Sequence, residues 1–180
     1  MQPTERRLFF ILILIAGLAW AFFSADNTSA AKTVLVSAPQ KGFIAPDFTL
    51  KSTDQKNITL SGLKGQAVLV NIWATWCPPC REEMPTIQKL YQEYKDQGFV
   101  VLGVNSTNQD DRIAIDPFIK EYNLTFPILL DEFSQVAGAY QLRSLPTSFF
   151  VNRKGTISEV VVGGPMSEAL LRIRIEEILQ

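Results

Sequence analysis

Apolar residues do not recur along this chain with one period, and the changes of period mark out its elements. An unbroken apolar run from Leu8 to Phe23 opens the sequence, directly after Arg6 and Arg7. Small and polar residues then dominate to about residue 42. Asp47 to Leu50 and Asn57 to Leu60 have the length and composition of short strands around a polar turn at Ser52 to Lys56. Ala67 to Ala74 (AVLVNIWA) and Phe99 to Asn105 (FVVLGVN) are nearly continuous apolar runs rich in β-branched residues, the pattern of strands covered on both faces. Between them the spacing predicts a helix from near Cys77 toward Gln97, stopped by Gly98 and kinked at Pro85. Asp110 to Tyr122 is helical in pattern, with Pro117 a candidate break. Ile128 to Leu130 is a short strand candidate, and Ser134 to Tyr140 a short helix. Thr147 to Asn152 and Ile157 to Val162 flank Arg153-Lys154-Gly155 as a hairpin. Ser167 caps a last amphipathic helix with Leu170, Leu171, Ile175 and Ile178 on one side. The succession βαβα and then ββα predicts an α/β fold, a sheet with helices on both faces.

The first run has a different meaning. At ~1.5 Å per residue it covers roughly 24 Å, slightly less than the ~30 Å hydrocarbon layer, a deficit that neighbouring residues and local thinning can absorb. The basic pair before it predicts a cytoplasmic N-terminus with the rest of the chain across the membrane. We therefore divide the chain into a cytoplasmic segment (1–7), a transmembrane signal-anchor (8–25), a tether (26–42) and one folded domain (43–180). A cleaved signal peptide is the competing reading. Its best small-residue site, Ser29-Ala30-Ala31, lies far beyond the apolar run, and Phe23-Ser24-Ala25 presents a bulky residue instead. The expected location is the cell membrane, single-pass, with the domain on the extracytoplasmic side.

Composition then removes whole classes of chemistry. The formal charge is −1 and there is no basic run, so nucleic acid is not an expected partner. There is no histidine, hence no imidazole base and no imidazole ligand. With two cysteines, a four-thiolate zinc site is also out of reach. We expect no metal and no dissociable cofactor.

Those two cysteines lie in Trp76-Cys77-Pro78-Pro79-Cys80, at a strand-to-helix junction. Dithiol exchange proceeds through a thiolate, which a helix N-terminus stabilises with partial positive charge and free N–H groups. A separation of three lets the second sulfur resolve a mixed disulfide. Cys77 is thus expected to be the exposed nucleophile and Cys80 the buried resolving thiol. Pro78 and Pro79 carry no N–H, so the Cys77 thiolate loses first-turn donors and only the N–H of Cys80 remains. A less stabilised thiolate makes a more reducing dithiol.

Glu83 follows Cys80 by three residues, which in a helix turns it toward the cysteine end. It is either a proton acceptor for the thiols or a solvated surface residue. Pro146 in Ser144-Leu145-Pro146-Thr147 precedes a strand, and local sequence alone favours a trans bond there. Trp73 is expected in the core and Trp76 at the surface beside Cys77. Asn71 is polar within an apolar strand and needs hydrogen-bond partners if buried.

Four stretches together resemble the ResA-type branch of the thioredoxin superfamily, near TlpA and CcmG proteins: Ala45 to Leu50 (APDFTL), Leu63-Lys64-Gly65, Asn71 to Pro85 (NIWATWCPPCREEMP) and Ser144 to Gly155 (SLPTSFFVNRKG). The resemblance spans about residues 43–180 and implies a thioredoxin-like fold with a central mixed sheet. It implies that Pro146 is cis and faces the cysteines, that Trp76, Pro78, Pro79, Leu145 and Pro146 line the substrate groove, and that Glu83 works beside the dithiol. Asn71 falls where cytoplasmic thioredoxins carry a buried aspartate. It further implies a reductant of the cysteine pair of apocytochrome c, supplied with electrons by a CcdA-like membrane thiol carrier. Pro-Pro between the cysteines is more usual in TlpA-like and CcmG-like members. Other clients, in the envelope or in sporulation, remain compatible with the same residues. A peroxiredoxin also opens with an APDF-type segment, but it needs proline and threonine just before its cysteine, and Trp73-Ala74-Thr75-Trp76 stands there instead. A copper chaperone on the same fold lacks ligands here.

Overall fold

A computed structural model describes residues 11–21 and 36–180. The chain divides into Met1–Leu35 and Val36–Gln180. In the first unit, residues 11–21 form a helix (α1) with exposed apolar side chains such as Leu14, Leu18 and Trp20. Among the described residues no helix is long and apolar enough to cross a membrane. Arg6 and Arg7, both ends of the expected anchor, the two cleavage sites and most of the expected tether lie outside the described residues.

The second unit runs β1 (Thr49–Ser52), β2 (Asn57–Thr59), β3 (Ala67–Trp73), α2 (Pro78–Tyr94), β4 (Phe99–Asn105), α3 (Arg112–Glu121), β5 (Ile128–Leu130), α4 (Gln135–Ala139), β6 (Thr147–Val151), β7 (Ile157–Val162) and α5 (Glu168–Leu179). The strands form one mixed sheet in the order β2-β1-β5-β4-β3-β6-β7. The strands β3, β4 and β5 are parallel, while β6 is antiparallel to β3. Every residue of β3 is buried, as its unbroken apolar run requires. The core lies in two layers: α2, α3 and α5 cover one face through Met84, Ile87, Phe118, Leu171 and Ile175, and Phe48, Val136 and Tyr140 cover the other.

Two prolines fall inside helices that nonetheless continue through them. Pro85 lies within α2 and Pro117 within α3. The helix α2 ends at Tyr94 and tightens into a 3₁₀ turn, Lys95–Gln97, before Gly98 takes φ +85°. In the antiparallel ladder, Asn71 stands directly opposite Ser148. That register matters for the site.

Candidate redox site

The peptide that leaves β3 turns through Ala74 to Trp76 and enters α2 at Cys77. Asp110 holds this turn in place. Its carboxylate accepts from Thr75 N at 2.6 Å, from Thr75 Oγ1 at 2.5 Å and from Asn105 Nδ2 at 2.7 Å. The indole of Trp76 donates to Gln109 O at 2.8 Å while the ring stays 56% exposed. Trp73 is fully buried and lies against Phe118, ring centres 4.6 Å apart.

Cys77 and Cys80 form a disulfide, with Cα atoms 5.3 Å apart. Cys77 is the N-cap of α2, and its Sγ accepts from Cys80 N at 3.3 Å. Pro78 and Pro79 fill the first two helical positions, where missing N–H groups cost the helix nothing. One expectation needs correction: Cys77 is 2% exposed, not open to solvent. In the disulfide its sulfur faces Cys80 rather than outward. It still lines a groove of about 350 Å³ with Trp76, Pro78, Pro79, Gln109, Leu142, Arg143, Ser144 and Leu145. A client sulfur would have to enter by that groove.

One turn after Cys80 on α2, Glu83 is fully buried. Its Oε1 accepts from Asn71 Nδ2 at 2.8 Å, and its Oε2 accepts from Met166 N at 3.3 Å. Burial pushes its pKa up, and the two hydrogen bonds only partly oppose that. A surface role for Glu83 is excluded by this packing. The Asn71 amide also donates to Ser148 Oγ at 2.9 Å, while Asn71 Oδ1 has no partner among the described residues.

Leu145–Pro146 is cis, against the local expectation and with the resemblance, and Gly164–Pro165 is cis as well. Pro146 is buried and does not line the groove. A Cβ placed on Gly164 would lie 2.8 Å from Pro146 Cγ and 3.0 Å from Glu83 Oε2, so glycine is required where this turn closes over both. Thus the groove residues Trp76, Pro78, Pro79 and Leu145 gather around Cys77, and Glu83 and Pro146 lie together against Gly164. Sequence reasoning missed Gly164, Met166, Ser148, Asp110 and Arg143. The Gly163-Gly164-Pro165 cluster was a visible turn signal. The others depend on strand register and loop packing, which have no local signature.

Comparison with known proteins agrees with this geometry. The pattern of the AhpC/TSA family matches residues 42–160. The chain is 37% identical over 171 residues, 93% of its length and 90% of the relative, to the thiol-disulfide oxidoreductase ResA of Bacillus subtilis (strain 168). Among solved structures, StoA from Bacillus subtilis shares 33% identity at a TM-score of 0.63, covering 72% of this chain and 96% of that one. A thiol:disulfide interchange protein of the thioredoxin family from Chlorobium tepidum TLS shares 27% identity at a TM-score of 0.70, covering 81% and 100%. The chain belongs to the AhpC/TSA family and, within it, to the ResA-type thiol-disulfide oxidoreductases of the thioredoxin superfamily.

Proposed function

We propose that this thiol-disulfide oxidoreductase is a membrane-anchored, extracytoplasmic reductant of the cysteine pair in apocytochrome c. The observation that carries the reductive reading is the Cys77–Cys80 disulfide at the start of α2, opening on a groove and backed by the buried Glu83. The anchor rests on the apolar run after Arg6 and Arg7, with 8–25 as the membrane segment and 26–42 as the tether. The client rests on the resemblance of the motifs from Ala45 to Gly155.

The reaction runs as two exchanges. In the reduced enzyme the Cys77 thiolate attacks one sulfur of the client disulfide. The client S–S bond breaks, and its other sulfur leaves as a thiolate and takes a proton. Cys80 then gives its proton to the Glu83 carboxylate and attacks Cys77 Sγ. The Cys77–Cys80 bond forms as the second client thiolate leaves, so the client gains two electrons and the enzyme loses two. A dithiol of a CcdA-like membrane carrier restores the enzyme. No dissociable cofactor enters, because the disulfide itself is the redox centre.

Pro78 and Pro79 support the reducing direction, since among first-turn N–H groups only that of Cys80 reaches Cys77 Sγ. The groove walls, Trp76, Pro78, Pro79 and Leu145, suit the apolar stem of an extended peptide around a Cys-X-X-Cys-His haem-attachment motif. Cells lacking the protein should lose membrane holocytochrome c and regain it with an added thiol reductant. Normal cytochrome c in such cells would overturn this client and leave an envelope or sporulation thiol reductase as the reading.

A further inference from the structure

The hydrogen bonds around Glu83 contain an imbalance. Both carboxylate oxygens already face donors: Asn71 Nδ2 at 2.8 Å and Met166 N at 3.3 Å. This arrangement suits the charged carboxylate. Among the described residues neither oxygen has an acceptor as partner to receive a carboxylic O–H. Yet in the proposed exchange Glu83 must hold a proton from Cys80. An acceptor therefore has to be supplied, and one lies idle. Asn71 Oδ1 is buried without a partner among the described residues, on the same carboxamide that donates to Glu83.

We propose that Asn71 is a positioning residue whose carboxamide turns over with the protonation state of Glu83. With the carboxylate, Nδ2 donates to Glu83 Oε1. With the carboxylic acid, the amide rotates by about 180° about its last bond and Oδ1 accepts the Glu83 O–H. Ser148 permits the turn, because its hydroxyl accepts from Nδ2 in one state and donates to Oδ1 in the other. One amide atom is left unpartnered in each state, so hydrogen-bond count alone does not lock the side chain. The catalytic use of this turnover rests on Glu83 acting as the proton acceptor.

Among the described residues no charged group competes for this control. There is no charged residue in β3, in β6 or in Gly163 to Met166. On α2, Arg81 is engaged by Glu121 and Thr75 O, and Glu82 is exposed. On α5, Glu168, Arg172 and Arg174 pair outward with Lys89, Glu93 and Glu159. The titratable neighbour that remains is the Cys77–Cys80 pair, which does not titrate while it is a disulfide.

The test uses the oxidised protein labelled with ¹⁵N and ¹³C. The Glu83 carboxyl carbon reports its own titration, and the Asn71 side-chain NH₂ signals report the amide. The Asn71 signals should shift with the same midpoint as Glu83 and lose their contacts to Glu83 on the acid side. Asn71 signals that stay fixed while Glu83 titrates would overturn the proposal. In the reduced protein, Asn71→Ala should slow resolution of the mixed disulfide at least tenfold, on the order expected for lost acid–base catalysis, and shift its pH profile. An equal rate with an unchanged profile, where Glu83→Gln does slow exchange, would also overturn it. The two ideas separate cleanly: if Glu83→Gln leaves exchange unaffected while Asn71 still follows Glu83, the turnover stands and the acceptor role falls.

Discussion

Replacing Glu83 with Gln should stabilise the oxidised protein, and the gain should grow with pH. The Glu83 carboxyl is fully buried, and burial raises its pKa from the ordinary 4.5. A group whose folded pKa is raised binds its proton more tightly in the folded chain. Its stabilising contribution is complete below about 4.5 and is lost as pH rises through the folded value. Above that range folding must either keep a charge out of water or hold a proton that the unfolded chain has released, at an effective cost of up to several kcal/mol. The Asn71 bond at 2.8 Å returns about 1.5–3 kcal/mol, and the Met166 bond at 3.3 Å returns less. Gln keeps an oxygen for Asn71 but turns an NH₂ toward Met166 N–H, which costs about 1 kcal/mol. The net expectation is a variant about 1–2 kcal/mol more stable than wild type near pH 8, with the gap closing near pH 4. Urea unfolding of both proteins at those two pH values, with Cys77–Cys80 kept oxidised, measures it. A stability difference that does not change with pH would refute the reasoning, because Glu83 would then titrate alike in the folded and unfolded chains.

Further expectations concern the thiols, the turn above them and the N-terminus. In reduced Glu83→Gln, Cys77 should ionise at lower pH than in wild type, since a neighbouring carboxylate disfavours a thiolate; an unchanged thiolate absorbance titration would contradict this. Gly164→Ala should cost about 1–3 kcal/mol, because its Cβ would meet the Pro146 ring at 2.8 Å and Glu83 Oε2 at 3.0 Å. It should also slow disulfide exchange, and wild-type stability together with wild-type rate would contradict the close packing. Protein taken from washed membranes should have the mass of the full chain, whereas a form beginning near Lys32 would show that the N-terminal run is cleaved.

Much of the fold could be read from period and punctuation. The strands β3 and β4 are long apolar runs, and their residues are buried with hardly an exception. Gly98 adopts the left-handed conformation expected of a stop, although the α-helix gives way to a 3₁₀ turn before it. The helix α2 runs through Pro85 as the spacing predicted, with Met84, Ile87 and Leu90 buried along it. The site was legible where its parts are contiguous, as in Trp76 to Cys80. It was illegible where partners come from distant strands. Asn71 needed to be paired with Ser148, and that follows from the register of β3 against β6. Spacing from Cys80 and the family resemblance singled out Glu83 over Glu82, but its burial was settled only by packing, with Met166 N on its carboxylate and Glu82 exposed.

The central claim is that Cys77 attacks a cytochrome client and Cys80 resolves the product. It is tested most directly by trapping. Cys80→Ser should accumulate a mixed disulfide in membranes, and mass spectrometry of the linked peptides should join Cys77 to a cysteine of a haem-attachment motif in apocytochrome c. Cys77→Ser should trap nothing. Equal trapping by both variants would contradict the assignment of the nucleophile, and a Cys80→Ser adduct with a protein bearing no haem-attachment motif would contradict the assignment of the client.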